Sequence, residues 1–499
     1  MNITLNPNSI ADYRKFLAVK SLPIYSLTGR SAEFPDEYAG KIGLAETVKR
    51  ESLPYTPQSW LFDYQRDIAG MALDKKKFAA FWDCGLGKTA LMLEWCAHVR
   101  KVLPLSKNVL IISPLMVIDQ TIAEAQKFYG DYPIKKIAAR DLQTWLDSPQ
   151  REIGITNYDA LHADLKRGHL GAICGDETSM LKSMYGNWGQ VMIDLGKGLE
   201  YKLCLTGTPA PNDRIEYGNH AVFLDQFPTL NAFLARYFVN RGQTNERWEL
   251  KPHALEPFYR SLSHWSIFLS NPATYGWKDN TKPLPPIETF IHHVELTGAQ
   301  NDAVGKQTGD LFAANFGGIS SRSTLARIAK GSYKGQKVES LKPAFVADLV
   351  ESFGDKSSIV WCKYNDEQDT LAEMISNNAN INGSTPHEKR LELITAFKVG
   401  ELKTLISKPK ILGFGLNLQV ATRMAFSTLQ DSYEEYYQAI KRSNRYGSTE
   451  SLQVHIPLTE LEYPMAENVL RKAKMIQQDT EMQEQIFRKQ QRELGWNRN

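Results

Sequence analysis

Cysteine is scarce in this chain. There are five in 499 residues, at positions 84, 96, 174, 204 and 362. None forms a CxxC pair, which argues against a zinc site, and the usage fits a reducing cytosol. No apolar run reaches the length of a membrane span. The opening stretch, MNITLNPNSIADYRKF, is polar and has no apolar signal core. A soluble, cytoplasmic protein without a membrane partner is the expectation. An excess of one charge is also missing. Lys and Arg number 59 against 56 Asp and Glu, a net charge of +3, too small to argue for a nucleic-acid partner by itself. No internal sequence repeat is visible. What remains is an ordinary hydrophobic share of 42%, enough for two to three domains with real cores.

Short apolar runs recur between longer helical patterns: VLIIS (109–113), IGIT (153–156), GAIC (171–174) and KLCLT (202–206), then SIVWC (358–362), TLIS (404–407), MAFSTL (424–429) and QVHIPL (453–458). Alternation of this kind predicts parallel sheets covered by helices. The runs fall into two groups separated by roughly 210–355, so the fold class is α/β with two lobes. The Pro-rich TKPLPPIETF reads as an extended connection, which places the boundary near 280–288. Roughly 465–495 reads as an exposed amphipathic helix. In the first fifty residues, SLPIYSL could be a strand. The aromatics of 216–277, including Tyr237, Trp248, Trp265 and Trp277, read as packed core.

Three stretches carry chemistry. FWDCGLGKTALMLEWCAHV places Gly85, Gly87, Lys88 and Thr89 before a helical pattern. Glycines let backbone N–H groups converge on phosphates, and a helix N-terminus adds positive charge. Lys88 would reach the β/γ-phosphates and Thr89 would put a hydroxyl on Mg²⁺. The strict phosphate-loop pattern asks for glycine where Trp82 stands. GAICGDETSMLKS (171–183) puts Asp176 and Glu177 at a strand end, where Asp176 would hold Mg²⁺ and Glu177 would deprotonate a water. Alone, that pair reads first as a solvated turn; the glycine loop upstream reverses the preference. CLTGTPAPN (204–212) follows a third strand, and Thr206, Gly207 and Thr208 form a polar turn there, a coupling element if the order of the three stretches matters.

Taken in order, these stretches resemble the SWI/SNF-like ATPase family of superfamily II helicases, and the compact phage or prophage branch within it. LFDYQRDIAGMAL (61–73) resembles that family's Q motif, with Gln65 as adenine reader. VLIISPLMVIDQ (109–120) and IGITNYDAL (153–161) resemble its motif Ia and TSY segments. DETSMLKS resembles DEAHRLKN, with Thr178-Ser179 in place of Ala-His. LPPIETFIHHVELTGAQ (284–300), INGSTPHEKRLELITAF (381–397) and GFGLNL (413–418) resemble segments of the second lobe. YYQAIKRSNRYGS (436–448) resembles QAIGRAHRIGQ, matching at Gln438, Arg442, Arg445 and Gly447.

The resemblance implies two RecA-like lobes with helical insertions, ATP and Mg²⁺ as cofactors, and double-stranded DNA as partner. It implies residues 1–55 as an N-terminal extension, 56–285 as lobe 1 with a helical protrusion at 213–280, 286–462 as lobe 2, and 463–499 as a C-terminal helix. Glu177, Lys88, Arg442 and Arg445 are the implied catalytic residues, with Gln438 at the nucleotide. Arg442 and Arg445, three apart, are expected on one helix side. DNA contacts are expected from Pro114, Thr156 and Asn157 on the first lobe, and Gly383, Ser384, Thr385 and Asn417 on the second. A monomer is favoured, with protein partners open to the N-terminal extension or the insertion. The activity implied is DNA-stimulated ATP hydrolysis driving translocation. A strand-separating helicase and a non-hydrolysing scaffold are the alternatives.

Overall fold

In a computed structural model of the chain, the described residues are 1–44, 54–183, 186–242, 247–278, 284–311, 319–412, 416–429, 432–444 and 448–493. The contacts divide them into two units, one of residues 1–280 with 477–499, the other of 281–476. Among the described residues no helix is long and apolar enough to cross a membrane.

The first unit begins with a small module: β1 (Asn2–Thr4), α1 (Ile10–Lys20), β2 (Ser26–Thr28) and β3 (Ser31–Glu33), its antiparallel sheet in the order β1-β3-β2. Val19, Leu22, Phe34 and Tyr38 fill its core. SLPIYSL contributes only its last two residues to a strand, the start of β2. The main body runs α2 (Asp63–Lys75), β4 (Lys77–Trp82), α3 (Lys88–Val102), β5 (Asn108–Ser113), α4 (Ile118–Tyr129), β6 (Ile134–Lys136), α5 (Leu142–Leu146), β7 (Ile153–Asn157), β8 (Leu170–Asp176), α6 (Asn187–Gly196) and β9 (Tyr201–Thr206). Then come α7 (Tyr217–Phe223), α8 (Leu230–Tyr237), β10 (Phe238–Asn240), β11 (Trp248–Leu250), α9 (Leu255–Trp265) and β12 (Ser266–Leu269). The seven-stranded sheet has the order β12-β4-β9-β8-β5-β7-β6, and all its pairings are parallel. Every residue of β5 and β9 is buried, as expected of strands covered on both faces.

The second unit runs β13 (Ile287–His293), α10 (Gly298–Leu311), α11 (Ile319–Ala329), β14 (Ser332–Tyr333), β15 (Gln336–Lys337), α12 (Lys342–Glu351), β16 (Ser358–Trp361), α13 (Asn365–Met374), β17 (Asn378–Ile381), α14 (His387–Lys398), β18 (Thr404–Ser407), β19 (Arg423–Phe426), α15 (Tyr433–Ser443) and β20 (Leu452–Leu458). Its parallel sheet has the order β13-β20-β19-β16-β18-β17. The last helix, α16, spans Tyr463–Glu493. From Gln477 onward it groups with the first unit. There Asp479 pairs with Arg214 at 2.5 Å, Glu484 accepts from the Ser270 hydroxyl at 2.6 Å, and Phe487 is buried. That half packs one face against the first unit's residues, as an amphipathic helix does.

Two strands of the large parallel sheets, besides the small pairs β10-β11 and β14-β15, fall in the stretch the sequence leaves without sheet. SIFL forms β12, the edge beside β4, and the last four residues of the Pro-rich connection begin β13, the edge beside β20. β12 is too short to stand out after a helix. β13 is exposed at six of seven positions and so lacks an apolar pattern. The 213–280 segment also packs inward. Phe233, Tyr237, Phe258 and Trp265 share one core cluster with Phe81 and Cys204 of the sheet.

Candidate functional site

In the first unit, the sequence motifs emerge at the carboxyl ends of neighbouring strands. β4 leads into the glycine loop, β9 into Gly207-Thr208, β8 into Glu177, β5 into Pro114 and β7 into the 157–160 turn. Ligand sites of open α/β sheets lie at this edge.

Trp82, where the strict loop pattern has glycine, is the last residue of β4 and fully buried. The strand thus continues one step further before the loop begins. Gly85 and Gly87 have φ of +88° and +80°. At Gly87 a Cβ would also lie 2.3 Å from Gln65 Nε2. Lys88 opens α3, and its Nζ donates to Trp82 O at 3.0 Å. Gln65 is buried on α2. Its Oε1 accepts from Phe62 N at 3.0 Å and its Nε2 donates to Leu86 O at 3.1 Å. The amide therefore ties the start of α2 to the glycine loop. Gly87→Ala is expected to cost about 1–2 kcal/mol from the left-handed backbone alone, and to push the Gln65 amide off Leu86. A lowered denaturation midpoint with weakened nucleotide binding checks this.

Asp176 ends β8, and its Oδ2 accepts from the Ser113 hydroxyl at 2.8 Å. Tyr158 OH donates to its backbone carbonyl at 2.7 Å. Burial, then the adjacent Glu177 charge, pushes the Asp176 carboxyl up to about 6, while Ser113 and Lys88 pull the other way. Thr89 and Asp176 offer only oxygen donors, the donor type Mg²⁺ takes alongside phosphate oxygens. The residues present fit that ion.

Glu177 sits in the left-handed region, at φ +54° and ψ +54°, and leads into the helical turn Thr178–Leu181. A non-glycine residue there carries about 1–3 kcal/mol of strain, which the surrounding bonds must offset. Its Oε1 accepts from Thr206 Oγ1 at 2.6 Å and from Ser179 Oγ at 3.0 Å. Thr206 Oγ1 in turn accepts from Thr208 N at 3.1 Å. Gly207 lies close against the glycine loop: a Cβ there would meet Trp82 O at 3.1 Å and Lys88 Nζ at 3.6 Å. Phosphate loop, acidic pair and polar turn are one constellation.

Helix α7 supports the turn from behind. Asn219 Nδ2 donates to Leu181 O and Ser183 O, both at 2.7 Å. His220 Nε2 lies 3.1 Å from Thr178 Oγ1, and burial pushes this histidine down to about 4, so its ring is neutral. Sequence reasoning missed Ser113, Asn219 and His220. Ser113 carried a signal, as the polar end of an apolar run; the other two carried none.

Some expected nucleic-acid contacts need correction. Thr156 is fully buried, and its hydroxyl donates to Ile137 O at 2.9 Å. Pro114 is buried as well. Asn157 is half-buried, with Nδ2 donating to Asp159 at 3.2 Å.

In the second unit, Gly383 and Ser384 are exposed after β17, and Thr385 is half-buried. The Asn382 side chain organizes this loop, accepting from Ser384 N at 3.1 Å and Thr385 Oγ1 at 3.1 Å. Asn417 is exposed, with Nδ2 donating to Gln419 at 3.1 Å. Gly413–Gly415 and Arg445 lie outside the described residues. Helix α15 spans Tyr433–Ser443 and carries Arg442; the helix side expected to be shared with Arg445 falls outside the described residues. Arg442 is buried, its Nη2 donating to Pro409 O at 2.9 Å and its guanidinium 5.2 Å from the Trp361 ring centre. Leu418 N donates to Arg442 O at 2.9 Å. Gln438 is buried on the same helix.

Comparison with known proteins gives the class. The SNF2-related domain family matches residues 81–337, a little over half of the chain, and the helicase conserved C-terminal domain family matches 341–447. The chain belongs to the SNF2-related family. It is similar to YwqA of Bacillus subtilis (strain 168), provisionally described as an ATP-dependent helicase/translocase, at 24% identity over 76% of this chain and 43% of the relative. It is also similar to protein p41 of Acyrthosiphon pisum secondary endosymbiont phage 1, at 23% identity over 76% of this chain and 87% of that one. The chain thus spans less than half the length of the Bacillus relative and most of the phage one. Among solved structures, the Sulfolobus solfataricus SWI2/SNF2 ATPase core in complex with dsDNA aligns at 19% identity over 86% of this chain and 96% of that one, with a TM-score of 0.40.

Proposed function

We infer that the chain is an ATP-driven, DNA-stimulated motor that translocates on double-stranded DNA. One observation carries the reading: Lys88, Thr206 and the Asp176-Glu177 pair stand at the carboxyl ends of β4, β9 and β8, three adjacent parallel strands. Family membership and the description of YwqA support it.

The chemistry follows from the residues. The glycine loop and the N-terminus of α3 present N–H groups and positive charge to the phosphates. Lys88 neutralizes their outer oxygens. Thr89 and Asp176 are the residues that would hold Mg²⁺, whose charge offsets that of the phosphates. Water attacks the γ-phosphorus, the bond to the bridging oxygen breaks, and ADP and phosphate leave. The proton of the water passes to Glu177. Its Oε1 already accepts two hydroxyls, so Oε2 is the oxygen available to the water. Arg442 and Arg445 are assigned to charge on the γ-phosphate by the family resemblance. Gly383, Ser384, Thr385 and Asn417 are proposed to grip backbone phosphates, without reading bases.

The test is phosphate release from ATP with and without blunt duplex DNA, paired with displacement of a triplex-forming strand. Duplex DNA is expected to raise the rate, and the third strand is expected to be displaced. Unwinding of a forked duplex without triplex displacement overturns the translocase reading in favour of strand separation. No phosphate release under either condition overturns the ATPase reading.

A further inference from the structure

The hydroxyl of Ser179 is fully buried and donates to Glu177 Oε1 at 3.0 Å, and no other side-chain partner for it occurs among the described residues. We propose that Ser179 is a positioning residue for Glu177, a role that rests on the ATPase reading above. Two hydroxyls, from Ser179 and Thr206, converge on the same carboxylate oxygen. They hold the carboxylate plane and leave the second oxygen for the attacking water.

The two donors come from different parts of the fold. Ser179 stands two residues after Glu177, on the turn Thr178–Leu181. With Glu177 left-handed, the side chains at 177 and 179 meet. Thr206 ends β9 and is bonded to Thr208 N, so it moves with the 206–208 turn. The turn that carries Ser179 is held by α7 as well as by β9. Thr178 Oγ1 donates to Leu205 O at 3.3 Å and lies beside His220, and Asn219 holds Leu181 O and Ser183 O. Packing beneath is also close: a Cβ on Gly175 would lie 2.5 Å from Thr178 Cγ2. Glu177 therefore has one donor fixed to its own turn and one that follows the 206–208 segment. A displacement of that segment removes the Thr206 bond and leaves the Ser179 bond in place. Ser179 keeps the glutamate aimed through such a displacement.

The test measures kcat and KM for ATP, with duplex DNA present, for the unmodified chain, Ser179→Ala, Ser179→Thr, Thr206→Ala and the double alanine variant. Loss of a hydrogen bond to a charged group is expected to lower kcat about tenfold in Ser179→Ala, with KM and binding of a fluorescent ATP analogue unchanged. Ser179→Thr keeps the hydroxyl and is expected to restore most of the rate. The double variant is expected to fall below either single one. A Ser179→Ala variant with the unmodified kcat overturns the role, as does a Ser179→Thr variant as slow as the alanine one, which marks simple packing. A double variant no slower than Thr206→Ala overturns it too. If the unmodified chain hydrolyses no ATP, the ATPase reading falls and this role with it. An active unmodified chain with a fully active Ser179→Ala overturns this role alone.

Discussion

Replacing Glu177 with glutamine is expected to lower the maximal rate of ATP turnover by about 10²–10⁴-fold, the range for loss of a general base. Nucleotide binding is expected to persist. Glutamine keeps the length of the side chain and an oxygen that can accept the Thr206 and Ser179 hydroxyls. It loses only the capacity to take a proton. The elements proposed to meet the phosphates, the glycine loop and Lys88, do not depend on the glutamate's charge for their fold: the loop is held by Gln65 and Tyr64 at Leu86 O. Single-turnover phosphate release, with separate titration of a fluorescent ATP analogue, distinguishes the two steps. A variant that hydrolyses ATP within a few-fold of the unmodified rate would remove Glu177 from the role of base. A variant that loses binding as well would mean the glutamate supports the site's architecture instead.

The largest stability effect is expected at Glu462, in the second unit. Glu462 ends the short turn Glu460–Glu462 before α16 and is buried in the second unit. Its two oxygens meet Lys330 Nζ and Lys342 Nζ, each at 2.5 Å, and both lysines are buried too. Thr459 adds bonds from its backbone N and its hydroxyl at 3.1 and 3.2 Å. Burial works against the charged carboxylate, but the two ammonium groups outweigh it and hold Glu462 down to about 2. Burial pushes Lys342 down to about 8. Glu462→Ala leaves two cations enclosed without a counter-charge. Removing one member of a buried ion pair costs about 3–5 kcal/mol, and that loss is expected in denaturant or thermal unfolding of the second unit. A loss below about 1 kcal/mol would show that the lysines reach water once the glutamate is gone. The pH dependence has a definite sign. The folded carboxyl titrates lower than an unfolded one, near 4.5, so its stabilization is complete above about 4.5. It is lost progressively as pH falls toward about 2. The alanine variant is expected to lack that part of the acid sensitivity.

Much of the first unit's chemistry was legible in the order of residues. Apolar runs ending in Ser113, Asp176 and Thr206 mark strands whose polar ends gather at one sheet edge. A glycine loop before a helical pattern marks a phosphate cradle, because few other residues tolerate its backbone. Other readings failed for identifiable reasons. Thr156 is a turn-type residue at a strand end, but whether its hydroxyl meets solvent or Ile137 depends on how β6 and β7 lie together.

The sequence by itself determined the α/β class, the strand-end placement of Lys88, Asp176, Glu177 and Thr206, and their chemical types, since these follow from local pattern. Only the tertiary structure decided which of those groups touch. Asp176 pairs with Leu205 in the parallel register of β8 and β9, so the next residue on each strand, Glu177 and Thr206, arrive side by side. One step of register would separate them. The Lys330–Glu462–Lys342 cluster joins Glu462 to lysines more than a hundred residues away, and α7 braces the turn after Glu177 from some forty residues away. Those distances are closed by packing, which no local spacing encodes.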